Sequence, residues 1–229
     1  MVSRGKLFFG KEFEDIKTKN IAIMGLGGTG STVSQLIARM HPNKLIFIDG
    51  DIVEEDNLER QIIFSNSDLN KNKALIAKQK LSEFCKIEAR PEFLSKTNIS
   101  FENIDLIIDC TDSVETRLVI NDYCKKNKLP WVHTGVIGNI GLVYFNEPGE
   151  PCFCCFNKEK KGERNIDVGV LNYAVSMVAS LAVSLAMDYL INKKVNNNLI
   201  RFNLDDYSIT KLKINSKDCN ACNGKYNYL

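Results

Sequence analysis

A chain of 229 residues is long enough for one α/β domain with a full hydrophobic core and no disulfide support. Its 30 lysines and arginines against 28 aspartates and glutamates leave a formal charge of +2, which gives no electrostatic basis for a nucleic-acid partner. The first fifteen residues mix charged and aromatic side chains with no apolar run or cleavage site, so a cytoplasmic chain is expected, in which the eight cysteines (85, 110, 124, 152, 154, 155, 219 and 222) serve metal or core rather than disulfides.

Residues 20–24 predict an apolar strand, followed at once by Gly25-Leu-Gly27-Gly28-Thr-Gly30 and a helical pattern over 31–40. A second apolar strand over 44–48 ends in Asp49-Gly-Asp51, completing a βαβ unit with a right-handed crossover. A helix over 71–84, a buried strand over 105–109 and a helix over 114–127 continue the alternation. From Trp131 the pattern changes to extended runs at 132–136 and 140–145, the second broken off by Glu147-Pro148-Gly149. Residues 157–164, charged and without apolar periodicity, predict a mobile loop.

Residues 168–187 carry no charged side chain and are long enough to span a bilayer. At helical spacing, however, Asn172, Ser176, Ser180, Ser184 and Asp188 draw a narrow polar stripe along the rod. That stripe favours a helix buried against a sheet or a subunit partner over a membrane span, although membrane helices also carry small residues at this spacing. Residues 199–204 and 209–214 alternate like a hairpin around Asp205-Asp206. No repeat or linker divides the chain, so residues 1–229 read as a single doubly wound, Rossmann-like α/β domain behind an N-terminal segment over 1–19.

Glycines in the turn let backbone amides approach a phosphate, and the following helix adds its partial positive charge. Asp49 follows Gly30 by nineteen positions at a strand end, the place where a carboxylate takes a ribose hydroxyl. Alone, these features suit a nicotinamide-dependent oxidoreductase. The paired Gly27-Gly28 and the polar loop from Asp51 through Asn57 to Arg60 and Gln61 argue for a triphosphate instead. Hydride transfer needs no fixed cation there, whereas departing pyrophosphate builds negative charge that a cation stabilises.

The run from Gly25 through Gln61 resembles the ThiF/MoeB/HesA family, bacterial relatives of the ubiquitin-activating E1 enzymes. Lys73, thirteen residues after Arg60, is similar to the family lysine that reaches the ATP phosphates, and Asp109-Cys-Thr-Asp112 resembles the family's D-x-T-D. The resemblance implies a homodimeric adenylyltransferase that uses ATP and Mg²⁺ to activate the C-terminal carboxylate of a small ubiquitin-like sulfur carrier ending in Gly-Gly. In it, Gly25, Gly27, Gly28, Gly30, Asp49, Asp51, Asn57 and Gln61 surround the nucleotide, Arg60 and Lys73 hold phosphates, and Asp112 holds magnesium. Adenylation of a ribosomally made peptide shares every one of these residues and stays open beside it.

Cys152-Phe-Cys154-Cys155 and Cys219-Asn-Ala-Cys222 each contain C-x₂-C, the spacing with which two thiolates grip one tetrahedral zinc, and leave Cys154 as a bystander. A structural Zn²⁺ on Cys152, Cys155, Cys219 and Cys222 would clip the C-terminal hairpin to the sheet and join residues 152–229 into one part. His41, just past the first helix, suits a cap of its carbonyl end, and His133 suits a core or site-lining place on a strand. Three positions depart from the resemblance. Asn165 stands where sulfur-moving relatives carry a cysteine, so a thioester or persulfide relay through the enzyme is not expected. Arg4 is the only nearby counterpart of the arginine that relatives supply across the dimer, and Ser113 replaces the asparagine that commonly follows the matched aspartate.

Overall fold

The computed structural model describes residues 4–157, 168–191, 195, 197–216 and 218–229. A short helix α1 (Arg4–Phe9) and a 3-10 stretch (Gly10–Thr18), neither signalled by the sequence pattern, precede the first strand and bury Ile16. Strands β1 (Asn20–Met24) and β2 (Lys44–Ile48) flank helix α2 (Gly28–Ala38), which begins three residues earlier than the periodicity predicts, inside the glycine turn itself. Helix α3 (Lys73–Leu81) starts at a cap: the Asn72 side chain accepts from the Leu75 N–H at 3.1 Å. The following strand β3 (Lys86–Arg90) was not foreseen, because its lysine, glutamate and arginine mask the alternation of an edge strand. Strand β4 (Leu106–Asp109), helix α4 (Val114–Asn127), strands β5 (Trp131–Ile137) and β6 (Ile140–Asn146), the one-turn helix α5 (Phe153–Phe156), the long helix α6 (Asn172–Leu190) and the hairpin β7 (Asn198–Asn203) and β8 (Ser208–Lys213) follow.

All eight strands form one sheet in the order β3-β2-β1-β4-β5-β6-β7-β8. The first five are parallel neighbours, and β6, β7 and β8 add on antiparallel. Side chains of β1 alternate between two cores: Ile21 and Ile23 pack with α2, α3 and α6, whereas Ala22 and Met24 pack with α4 and Phe153. Helices cover both faces, which makes the sheet doubly wound. Chain order reverses between β1 and β4, the position at which sheets of this kind form a ligand crevice beyond the carboxyl ends of the strands.

Helix α6 is the one helix among the described residues long and apolar enough to cross a membrane. In this fold its Ala174, Val178, Ala182 and Ala186 face lies buried against α2 and the sheet, while Ser180 and Ser184 of the polar stripe face outward. One expectation for His41 is corrected. Its ring does not cap α2; the His41 backbone, at φ 58°, donates to the Ala38 carbonyl at 3.0 Å, and ring Nδ1 lies 2.7 Å from the Phe84 carbonyl oxygen.

Helix α4 ends on Lys128, exposed and left-handed at φ 53° and ψ 38°. A side chain in that region costs about 1 kcal/mol that glycine avoids, offset in part by glycine's freer unfolded chain. Lys128→Gly is therefore expected to raise the unfolding free energy by about 0.5 kcal/mol, read as a higher urea midpoint at unchanged slope. A lower midpoint would show that the lysine makes a stabilising contact the geometry does not reveal.

Candidate active site

The crevice is floored by the glycine turn. Gly25, at φ +79°, follows β1 directly; its N–H donates to the Ile48 carbonyl at 2.9 Å, and a Cβ there would lie 2.9 Å from the Cys110 carbonyl oxygen. Gly30 leaves still less room, because a Cβ would stand 1.9 Å from the Gly25 carbonyl oxygen. This tight closure brings the amino end of α2 to the crevice, where the N–H groups of its first turn lack intrahelical partners and the helix dipole is positive.

Asp49, at the end of β2, binds that turn from below. One carboxylate oxygen accepts from the Leu26 N–H at 2.6 Å and the other from the Asp51 N–H at 2.8 Å, leaving one lone pair on each for a ligand. Burial pushes its carboxyl above the usual carboxylate range, against those two backbone donors and the nearby Lys73. Lys73 opens α3 with a side chain only 7% exposed, its Nζ 3.3 Å from Asp51, which is 55% exposed and turned to solvent. A buried ammonium with a single loose partner is ready to exchange that partner for a phosphate.

A 3-10 turn (Glu55–Asn57) carries Arg60 over the first turn of α2, with the Arg60 Cγ 3.5 Å from where a Gly28 Cβ would be. Its Nη1 donates to the Asp56 carbonyl at 2.8 Å and to Glu59 Oε1 at 3.1 Å. Gln61 is buried with Nε2 4.0 Å from the place of a Gly27 Cβ, and its Oε1 has no partner, an orphaned acceptor beside the turn. Asn57 ties the loop together: its amide oxygen accepts from the Glu54 N–H at 3.3 Å and its Nδ2 donates to Asp56 Oδ1 at 2.8 Å.

On the other side of the crevice, Asp109 ends β4 fully buried. Its Oδ1 accepts from the Thr111 N–H at 3.0 Å and the Thr111 hydroxyl at 2.7 Å; Arg117 Nε stands 3.6 Å and His133 Nδ1 3.2 Å from Oδ2. Arg117 also donates to the Thr111 carbonyl and, at 3.2 Å, to the Thr134 carbonyl. No local motif signals this pairing, although a buried aspartate at a strand end calls for a cation and Arg117 is the only arginine on α4. Asp112 itself is exposed and does not cap α4: the Ser113 side chain does, accepting from the Thr116 N–H at 3.2 Å. Both carboxylate oxygens of Asp112 are thus left for an ion, chemistry that suits Mg²⁺.

Beside Arg60 lies a cavity of about 540 Å³ lined by Glu59, Gly138, Asn139 and residues 168–171. Its wall is held by the Gly138 N–H donating to the Gly169 carbonyl at 3.1 Å and by Tyr173 on Asn139 at 3.2 Å. Nothing in the sequence signalled this cavity. Asn165 lies outside the described residues, and no hydrogen bond or ion pair joins Arg4, exposed on α1, to the site among the described residues.

Away from the crevice, Cys152, Cys155, Cys219 and Cys222 bring their sulfurs within 4.8 Å of one another. Cys152 lies 3.9 Å from Cys155 and 3.6 Å from both Cys219 and Cys222, and Cys155 lies 3.6 Å from Cys222. Four thiolates at about 2.3 Å from one tetrahedral zinc would stand about 3.8 Å apart, so the donor set fits Zn²⁺ and closes its shell. Cys154 stays outside the cluster and takes the Asn121 amide at 3.2 Å. Burial pushes the remaining thiols up, Cys85 to about 11 and Cys110 and Cys124 well beyond the usual thiol range, which makes all three poor nucleophiles.

Comparison with known proteins shows the family and the fold. The ThiF family matches residues 3–224. Ubiquitin-like modifier-activating enzyme 5 of Drosophila virilis is 30% identical over 212 residues, which cover 80% of this chain and 52% of that protein. A probable molybdopterin-synthase adenylyltransferase of Porphyra purpurea is 28% identical over 214 residues, covering 88% of this chain and 56% of its own length. The chain spans about half the length of the curated relatives it matches. Among solved structures, E. coli MccB with MccA-N7isoASN superposes with a TM-score of 0.81 at 23% identity, covering 92% of this chain and 69% of that one, a likeness of fold.

Proposed function

The chain belongs to the ThiF family, and on that premise we propose that it is an E1-like adenylyltransferase that transfers AMP from ATP to the C-terminal carboxylate of a small ubiquitin-like sulfur carrier ending in Gly-Gly. The observation that carries the reading is the place of Arg60, between the positive end of α2 and the cavity. Support also comes from Lys73 and the uncapped Asp112, for which an oxidoreductase has no use.

In this reading Gly25, Gly27, Gly28 and Gly30 line the phosphates, Asp49 takes a ribose hydroxyl, and Gln61 offers its orphaned oxygen to the nucleotide. The acceptor carboxylate enters through the cavity beside Gly138 and Asn139. It is already ionised at neutral pH and needs no general base. One of its oxygens attacks the α-phosphorus; a new P–O bond forms while the bond to pyrophosphate breaks, and the electron pair leaves with the pyrophosphate. Arg60 and Lys73 neutralise the charge that gathers on that leaving group, and positioning supplies much of the rest of the acceleration. Asp112 would hold Mg²⁺, which when bound adds charge neutralisation near the α-phosphate. The proposal includes a homodimer, for which the exposed Leu7 and Phe8 beside Arg4 on α1 offer apolar surface.

A second reading, adenylation of a ribosomally made peptide, draws support from the fold shared with MccB, solved with MccA. Pyrophosphate exchange separates the two. Exchange is expected with a carrier ending in Gly-Gly and to vanish when its last glycine is removed; exchange with peptides but no carrier would replace the first reading by the second, and exchange with neither would reject adenylation of both.

A further inference from the structure

The cysteine cluster and the crevice are joined by one histidine. His133 lies on β5, 2% exposed, with its Nδ1 3.2 Å from Asp109 Oδ2. Asp109 in turn shapes the turn that ends in Asp112, because its other oxygen holds both the N–H and the hydroxyl of Thr111. On its far side the imidazole is packed by the knuckle aromatics: the Phe153 ring centroid is 4.7 Å away and that of Phe156 is 6.0 Å away. Both belong to α5, whose N-cap is Cys152 and whose third residue is Cys155, and the Phe153 N–H is anchored to buried Asn121 Oδ1 at 3.1 Å. The ring is thus packed by Phe153 and Phe156 of α5 as well as bonded to Asp109.

Without the histidine donor, Oδ2 would keep only a distant arginine Nε, 3.6 Å away, and the χ2 of the carboxylate would be held by its two Thr111 bonds alone. The thing at stake is the direction in which the next residue, Asp112, points. We propose that His133 is a positioning residue for Asp112, fixing the Asp109 carboxylate that shapes the Asp109-to-Asp112 turn while being held itself by Phe153 of the cysteine knuckle. The inference rests on reading Asp112 as the carboxylate for the divalent ion. His133 acts on Asp112 through Asp109 and Thr111, and mutations along such a chain change coupling by about twofold to thirtyfold in affinity, equivalent to about 0.5–2 kcal/mol.

The test uses Mn²⁺ as the probe, its free fraction read by electron paramagnetic resonance in the presence of a non-hydrolysable ATP analogue. Asp112→Ala is the reference for a lost site. His133→Phe keeps an aromatic ring against Phe153 and deletes the donor to Asp109; it is expected to weaken Mn²⁺ binding about threefold or more. His133→Gln, whose amide reaches past the Nδ1 position, should do the same and serves if the phenylalanine variant does not fold. His133→Asn, which restores an N–H near the Nδ1 position, should recover most of the affinity. Wild-type Mn²⁺ affinity in the Phe and Gln variants, with or without a lower melting temperature, would overturn the inference and leave the adenylation reading standing. Wild-type protein binding Mn²⁺ no better than Asp112→Ala would overturn the reading of Asp112 itself, and this inference with it.

Discussion

Arg60→Ala is expected to cut pyrophosphate exchange by about a hundredfold or more, the effect of deleting one donor aimed at transition-state charge. The side chain is anchored to the Asp56 carbonyl and to Glu59 on one side and stands over Gly28 on the other, so its charge sits where a phosphate at the α2 amino end would be. It is 24% exposed and packs its stem on α2, so the melting temperature should fall by only the amount of a typical single substitution, about 1 kcal/mol. Arg60→Lys keeps the charge and loses the planar fork, and should fall between wild type and alanine. Exchange at near wild-type rate in the alanine variant would remove Arg60 from the mechanism and, with it, the observation on which the functional assignment leans hardest.

Metal analysis is expected to find one zinc per chain, and stripping it to cost the fold heavily. A site filled at about a thousand times its dissociation constant contributes roughly 4 kcal/mol. For a chain of this size that corresponds to a melting temperature lower by roughly 8–16 °C. Cys219→Ser should reproduce the loss, since Cys219 is buried and its sulfur is 3.6 Å from Cys152. The effect should centre on the link between α5 and the C-terminal residues 219–223, leaving α2 and the glycine turn in place. A metal-free preparation of undiminished stability would refute the zinc site, and a reducing agent that leaves its melting unchanged would rule out a disulfide in its stead.

What the sequence disclosed and what it withheld follow from the range of each interaction. Local rules sufficed for β1, β2 and α4, whose apolar runs and caps lie within a few residues, and for the glycine turn, where Gly30 has no alternative. They failed at β3, whose polar residues become a strand only because β2 offers it a parallel partner along Lys44 to Ile48. The C-x₂-C pairs could be recognised because each is a short chelate, although what unites them, a 67-residue separation closed to 3.6 Å, is a property of the fold. Asp109, Arg117 and His133 could not be joined in advance: they come from β4, α4 and β5, and only the sheet makes them neighbours. Asp112 was legible by its motif, but its freedom from capping depended on Ser113 taking that task.

The distance along the chain between the two halves of the cysteine cluster sets an order of events during protein synthesis. Cys152 and Cys155 leave the ribosome ahead of Cys219 and Cys222 by 67 residues. At about 5–20 residues per second that is a delay of roughly 3–13 s, in which β1 to β6 have emerged while the second pair of thiols is still unmade. For that interval only half of a zinc shell exists, and two thiolates grip an ion far more loosely than four. If the four thiols take zinc, its loading follows translation of the glycine turn, Arg60 and Asp112. On the zinc reading, a cell starved of the metal would accumulate chains in which Arg60 and Asp112 are already made and the final clasp is left open.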